Sequence, residues 1–186
     1  MIDFRLIVLS IFLISSKIAA FDVRNAIWAE LQRVGLLDPQ DYYADGFSDP
    51  LIPIVPSQQV PEFNNLLPGK TYITYDIIQK NYGVQWWISE ESMVMQIISR
   101  SNSQIISIIN FLTDLFRRYE LSAADINDVA HAANSPFKFL YFKLESANPV
   151  QPFIDEGGYM SGDMSIGYTY TREVDEGTAT NTGRYI

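Results

Sequence analysis

Cysteine is absent from this chain, histidine occurs once, and no apolar run reaches the ~20 residues needed to cross a bilayer. Each absence removes a class of function. Without cysteine there is no thiolate nucleophile, no disulfide framework and no Cys/His cage for zinc. Positive charge is also scarce, with 13 Lys+Arg against 22 Asp+Glu and a formal charge of -9. Like-charge repulsion would meet any approach to a phosphate backbone, so nucleic acid is not an expected partner. His131, the single imidazole, has no Gly-x-Ser-x-Gly elbow beside it. It is expected in the last turn of a helix, where a cation complements the dipole. No Asn-x-Ser/Thr sequon occurs, so N-glycosylation is not expected.

What the chain does have begins at its N-terminus. Met1–Arg5 is a short start with one cation, and Leu6–Ser16 (LIVLSIFLISS) is an apolar run of signal-peptide length. Lys17 interrupts it before Ile18, Ala19 and Ala20, where small residues suit signal peptidase. Cleavage after Ala20, an extracellular destination and a mature chain starting at Phe21 are the expectation, set against an uncleaved anchor or a buried N-terminal helix. Stable membrane insertion is not expected. Losing Asp3, Arg5 and Lys17 would leave the remainder still more acidic.

Periodicity divides the rest. Residues 22–34 place Val23, Ala26, Ile27, Leu31 and Val34 at helical spacing, with Asp22 as N-cap and Gly35 past the last turn. From 38 to 68 six prolines (Pro39, Pro50, Pro53, Pro56, Pro61 and Pro68) dissolve the pattern into an arm. Its pairs Leu51-Ile52, Ile54-Val55 and Leu66-Leu67 predict that the arm lies against the core. Between Lys70 and Ile88, TYITYDII and GVQWWI read as two strands about a turn at Lys80–Gly83. Ser89-Glu90-Glu91 followed by Met93, Val94, Ile97 and Ile98 predicts a helix. The clearest helix covers 104–119, with Ile105, Ile108, Ile109, Leu112, Phe116 and Tyr119 on one face. Ser122 and Asp125 resemble a capping box opening a helix over 122–133. Phe137–Leu144 (FKFLYFKL) predicts a strand, although Lys138 and Lys143 fit no simple alternation. After Glu145 the chain is rich in Gly, Ser, Thr, Tyr and acids and reads as a disordered tail.

Candidate chemistry is thin. Asp38, Asp41, Asp45 and Asp49 suggest calcium, but Tyr43 and Ile52 occupy positions an EF-hand reserves for acids, so turn residues are the better account. Glu90 with Glu91, Asp125 with Asp128, and Asp155 with Glu156 carry no spacing that defines a catalytic dyad. Arg117-Arg118 is a dibasic pair inside a helix, where a solvent face is the simpler reading. The distinctive group is aromatic: Trp86, Trp87, Tyr75, Phe139 and Tyr141 are the candidate ligand or partner contacts, with core packing as the competing role. Adjacent tryptophans on a strand face opposite ways, so one of them meets a second layer, a ligand or a partner.

Together these features predict a small α+β domain over residues 21–145, with three or four helices on a short aromatic sheet and a tail over 146–186. An all-α arrangement is the alternative. The expected function is a secreted, non-enzymatic interaction or structural protein of an extracellular coat or matrix, acting through protein partners or self-association. A carrier for a small apolar ligand is the second reading. No catalytic residue, metal site or cofactor is expected.

Overall fold

The computed structural model of the protein describes residues 18–82, 88–118, 120–148 and 158–172. The helices are α1 (Ala19–Arg33), α2 (Val60–Leu66), α3 (Asn102–Arg117) and α4 (Ala123–Ala132). The strands are β1 (Ile54–Pro56), β2 (Tyr72–Tyr82), β3 (Ile88–Ser99), β4 (Phe137–Ala147) and β5 (Met160–Arg172), in the sheet order β1-β2-β3-β5-β4. The class is α+β, as the patterning predicts. β1 is parallel to β2 and every other pairing is antiparallel. Two hairpins, β2–β3 and β4–β5, therefore meet along β3 and β5, and α3 and α4 connect them.

Local chemistry explains the helices. Ser101 caps α3 by accepting from the Gln104 amide, and Ile105, Ile108, Ile109, Leu112, Leu115 and Phe116 bury one face. Tyr119 lies outside the described residues. α4 opens with the expected capping box: Ser122 Oγ accepts from the Asp125 amide while Asp125 accepts from the Ser122 amide at 2.7 Å. The Ser122 hydroxyl, which donates to the Asp125 carboxylate at 2.6 Å, and then the Ser122 amide hold that carboxyl below its ordinary range. α1 starts earlier than expected, at Ala19, so Asp22 lies in the first turn instead of capping it. There Asp22 is buried, and burial raises its pKa more than the hydrogen bond from Ser135 Oγ at 2.5 Å lowers it. Trp28 joins Val23, Ala26, Ile27 and Leu31 on the buried face, while Val34 lies past the helix and is exposed.

The proline-rich stretch packs on the core as predicted, but it is not an arm throughout: β1 and the helix α2 form within it, and Leu66 of the expected apolar pairs is exposed. Tyr42, Ile54, Val55, Phe63 and Leu67 are buried in it, and the Tyr42 hydroxyl donates to the Thr71 carbonyl at 2.8 Å.

Two expectations are overturned. Residues 89–98 are not a helix but the middle of β3. Met93, Met95 and Ile97 are buried at alternate positions while Val94 is exposed, a period of two that the helical spacing of Met93, Val94, Ile97 and Ile98 concealed. Nor is all of 146–186 a tail, because Met160–Arg172 is β5, inserted between β3 and β4. Met164, Ile166 and Tyr168 are buried there, and a Cβ on Gly162 would lie 2.5 Å from Ile109 Cδ1 and 2.8 Å from Ile105 Cγ2. At this glycine α3 comes close against β5. Lys80, Asn81 and Tyr82 of the predicted turn are strand, since β2 runs on to Tyr82, and Gly83 lies outside the described residues. Trp86 and Trp87, like 149–157 and 173–186, lie outside the described residues.

Candidate functional site

The sheet ends in two unlike edges. β1 is three residues long and finishes at Pro56, which blunts it as a template for further pairing. β4 is eleven residues long and carries two register irregularities, at Phe139/Tyr141 and Leu144/Ser146. Each inserts an extra residue, Leu140 and then Glu145, and each resets which side chains point inward. The first explains why Phe139 and Phe142 are both buried while Leu140 and Tyr141 between them are 47% and 48% exposed. It also explains why Lys138 and Lys143 fit no simple alternation.

The outer side of β4 is closed at one end only. Asn127 of α4 donates from Nδ2 to the Phe139 carbonyl at 2.8 Å and accepts from the Phe139 amide at 2.6 Å, so its amide stands in for a neighbouring strand. Beyond that point no described strand lies alongside Tyr141–Ala147. A groove of about 520 Å³ runs here between the strand and the end of α3, lined by Phe116, Arg117, Tyr141, Leu144 and Ala147 among others.

Charge gathers at the same edge. Arg117 and Lys138 are exposed with no ion pair among the described residues, and Lys143 lies 3.6 Å from both Glu90 and Glu145. Glu145 crosses the far face of β5 to accept from Lys80 and, at 2.7 Å, from Ser92 Oγ. Glycine at 167 leaves room for this crossing, since a Cβ there would lie 2.5 Å from Glu145 Oε1 and 2.9 Å from Lys143 Cε and the two side-chain ends would have to shift. Burial raises the Glu145 pKa, but the hydrogen bonds from Lys80 and Ser92 and the charges of Lys80 and Lys143 outweigh it and leave it lowered. Glu145 is thus engaged inside the sheet's own network, and the edge retains its positive charge.

The predicted contact residues separate. Tyr141 stands exposed at the groove. Phe139 is in the core, with ring centroids 5.3 Å from Phe142, 6.0 Å from Tyr168 and 5.9 Å from Tyr170. These rings pack on one another, which assigns Phe139 to the competing role of core residue. Tyr75 is also buried, and burial pushes its phenol up to about 12, with the Arg24 charge acting the other way. Deeper in the same face, Glu91 is buried and accepts from the Tyr168 and Tyr170 hydroxyls at 2.9 and 2.8 Å. His131 is exposed in the last turn of α4. Sequence reasoning missed Asn127, Leu144 and the cations Arg117 and Lys138 as parts of one edge, although the two lysines within FKFLYFKL were the visible sign of it. No protein-family model matches this sequence, and none of the curated proteins is significantly similar to it.

Proposed function

We propose that this chain is a non-enzymatic structural protein, exported to an extracellular coat or matrix, that assembles through the free edge of β4. The observation that carries this reading is that, among the described residues, no strand pairs with the outer side of Tyr141–Ala147, beside its groove. An exposed strand edge supplies a row of backbone donors and acceptors to an incoming extended segment, and flanking pockets supply selectivity. Leu140 and Tyr141 add apolar area of the kind that anchors interfaces. The rings of Phe139, Phe142 and Tyr168 fill their space with each other, so they support assembly over a carrier role.

Sedimentation velocity of the full chain tests the reading. Association that rises with concentration is expected, and Tyr141→Asp, at an exposed position, should weaken it about tenfold without moving the melting temperature. A wild-type chain that stays monomeric, or association that Tyr141→Asp leaves unchanged, would refute it.

Export rests on residues 1–20. Ala19 and Ala20 are each 1% exposed in the first turn of α1, so cleavage after Ala20 would remove that turn. N-terminal sequencing of the natural protein should find Phe21, and an intact Met1 would overturn export by cleavage. Among the described residues no helix is long and apolar enough to cross a membrane.

A further inference from the structure

We propose that the β4 groove of one copy receives the acidic loop around Tyr43 of a second copy, in a head-to-tail contact. This names the partner for the assembly read above and rests on that reading. The strand order places the two surfaces on opposite edges of one sheet, with β4 at one side and β1, reached from this loop, at the other. They also share an end of the sheet: the loop is tied to Thr71, just before β2 begins, and the groove follows β4 toward its finish at Ala147.

Charge separates along the same line. Asp38, Asp41, Asp45 and Asp49 are all exposed on the loop, and the cation paired with them is Lys70, 2.7 Å from Asp41. Across the sheet, Arg117 and Lys138 are exposed and have no ion pair among the described residues. A groove-to-groove contact about a twofold axis would offer Arg117 only a second Arg117, while Lys138, at the other end of β4, lies outside the groove, which disfavours symmetric pairing. The acidic loop offers Arg117 opposite charge.

Shape agrees with charge. Tyr43 is 45% exposed, whereas its neighbour Tyr42 is buried against Trp28 at 5.7 Å between ring centroids. Tyr42 is further fixed by its hydroxyl bond to Thr71 and by the Leu51 amide, which donates to its carbonyl at 2.8 Å. Tyr43 is therefore displayed on an ordered base, so that little conformational freedom is lost when it docks. The groove, at about 520 Å³, is larger than one tyrosine side chain, and Arg117 on its wall lies ready for an aspartate beside that ring. A contact between unlike surfaces repeats, closing into a ring or extending as a filament.

Charge exchange tests the pairing on the full chain. Arg117→Glu alone and Asp45→Lys alone should each weaken association about tenfold, and the double variant should recover most of the wild-type affinity. Tyr43→Ala should weaken it without a compensating partner. Melting temperatures identify any variant that loses its fold, and Tyr43, Asp45 and Arg117 are all exposed. If Tyr141→Asp weakens association while Asp45→Lys and Tyr43→Ala do not, the acidic loop is not the partner and the edge reading survives. If none of these variants matters, both fall. A double variant no stronger than its singles also overturns the head-to-tail pairing.

Discussion

Replacing Gly162 by alanine asks whether β5 is a central strand or an appendage. The added Cβ would lie 2.5 Å from Ile109 Cδ1 and 2.8 Å from Ile105 Cγ2, both on the buried face of α3. Carbon atoms pack at about 3.5–4.0 Å, so the helix or the strand must move. Overpacking costs about 1–3 kcal/mol, while alanine returns about 0.4–1 kcal/mol by restricting the unfolded chain. The net expectation is a loss of about 1–2 kcal/mol, or roughly 2–8 °C in melting midpoint for a chain of this size. Ile109→Val deletes the atom that would be struck hardest and by itself costs about 0.5–1.5 kcal/mol. The double variant should then be more stable than the sum of the singles by about 0.5–1.5 kcal/mol, because the new methyl occupies space that valine vacates. Thermal denaturation followed by circular dichroism measures all four members of the cycle. A Gly162→Ala protein melting within about 1 °C of wild type would refute the placement of α3 on β5, since a methyl at a loosely held position costs nothing of this kind.

Gly167→Ala should behave differently although its new Cβ is as close to a neighbour. The atoms met are the ends of Glu145 and Lys143, which can swing toward water, so the loss should stay below about 1 kcal/mol. A drop as large as that at Gly162 would contradict this. Asp22→Asn should stabilise the fold near pH 7. The wild-type carboxyl has its pKa raised by burial, so its penalty appears as pH rises above the unfolded-state value near 3.8 and grows through the folded-state value. Melting midpoints of the two proteins should converge as pH falls below that window, and a gap that widens toward acid would reverse the sign of the reasoning.

How much of this was legible follows the range of the interactions involved. α3 and α4 could be read directly because their information is local, in an apolar stripe at helical period and, for α4, in Ser122 and Asp125, which satisfy its first turn; periodicity alone places the start of α3 at 104, two residues past the Asn102 that follows the Ser101 cap. β3 was misread because Met93, Val94, Ile97 and Ile98 satisfy a helical stripe, while Met93, Met95 and Ile97 satisfy a strand equally well. Short apolar runs fit both periods, and pairing to β2 and β5 decides between them. β5 had its own alternation in view, since Met160, Gly162, Met164, Ile166, Tyr168 and Tyr170 share one parity while Ser161, Asp163, Ser165, Thr169 and Thr171 share the other. Its Gly and Ser content imitated a tail because one glycine admits a helix and another a crossing carboxylate.

The amino-acid sequence by itself determined the α+β class, the exclusion of thiol and disulfide chemistry, the capping box that opens α4 and the packing of the proline-rich stretch on the core. Those follow from composition and from contacts a few residues apart. Only the tertiary structure decided that residues 160–172 lie between β3 and β4, that β4 is an edge among the described residues, and that Tyr141 and Arg117 border one groove with the acids of residues 38–49 at the sheet's opposite side. These are relations between segments far apart in the chain. The free energy that selects among strand orders comes from burying whole faces together, and no local pattern records it.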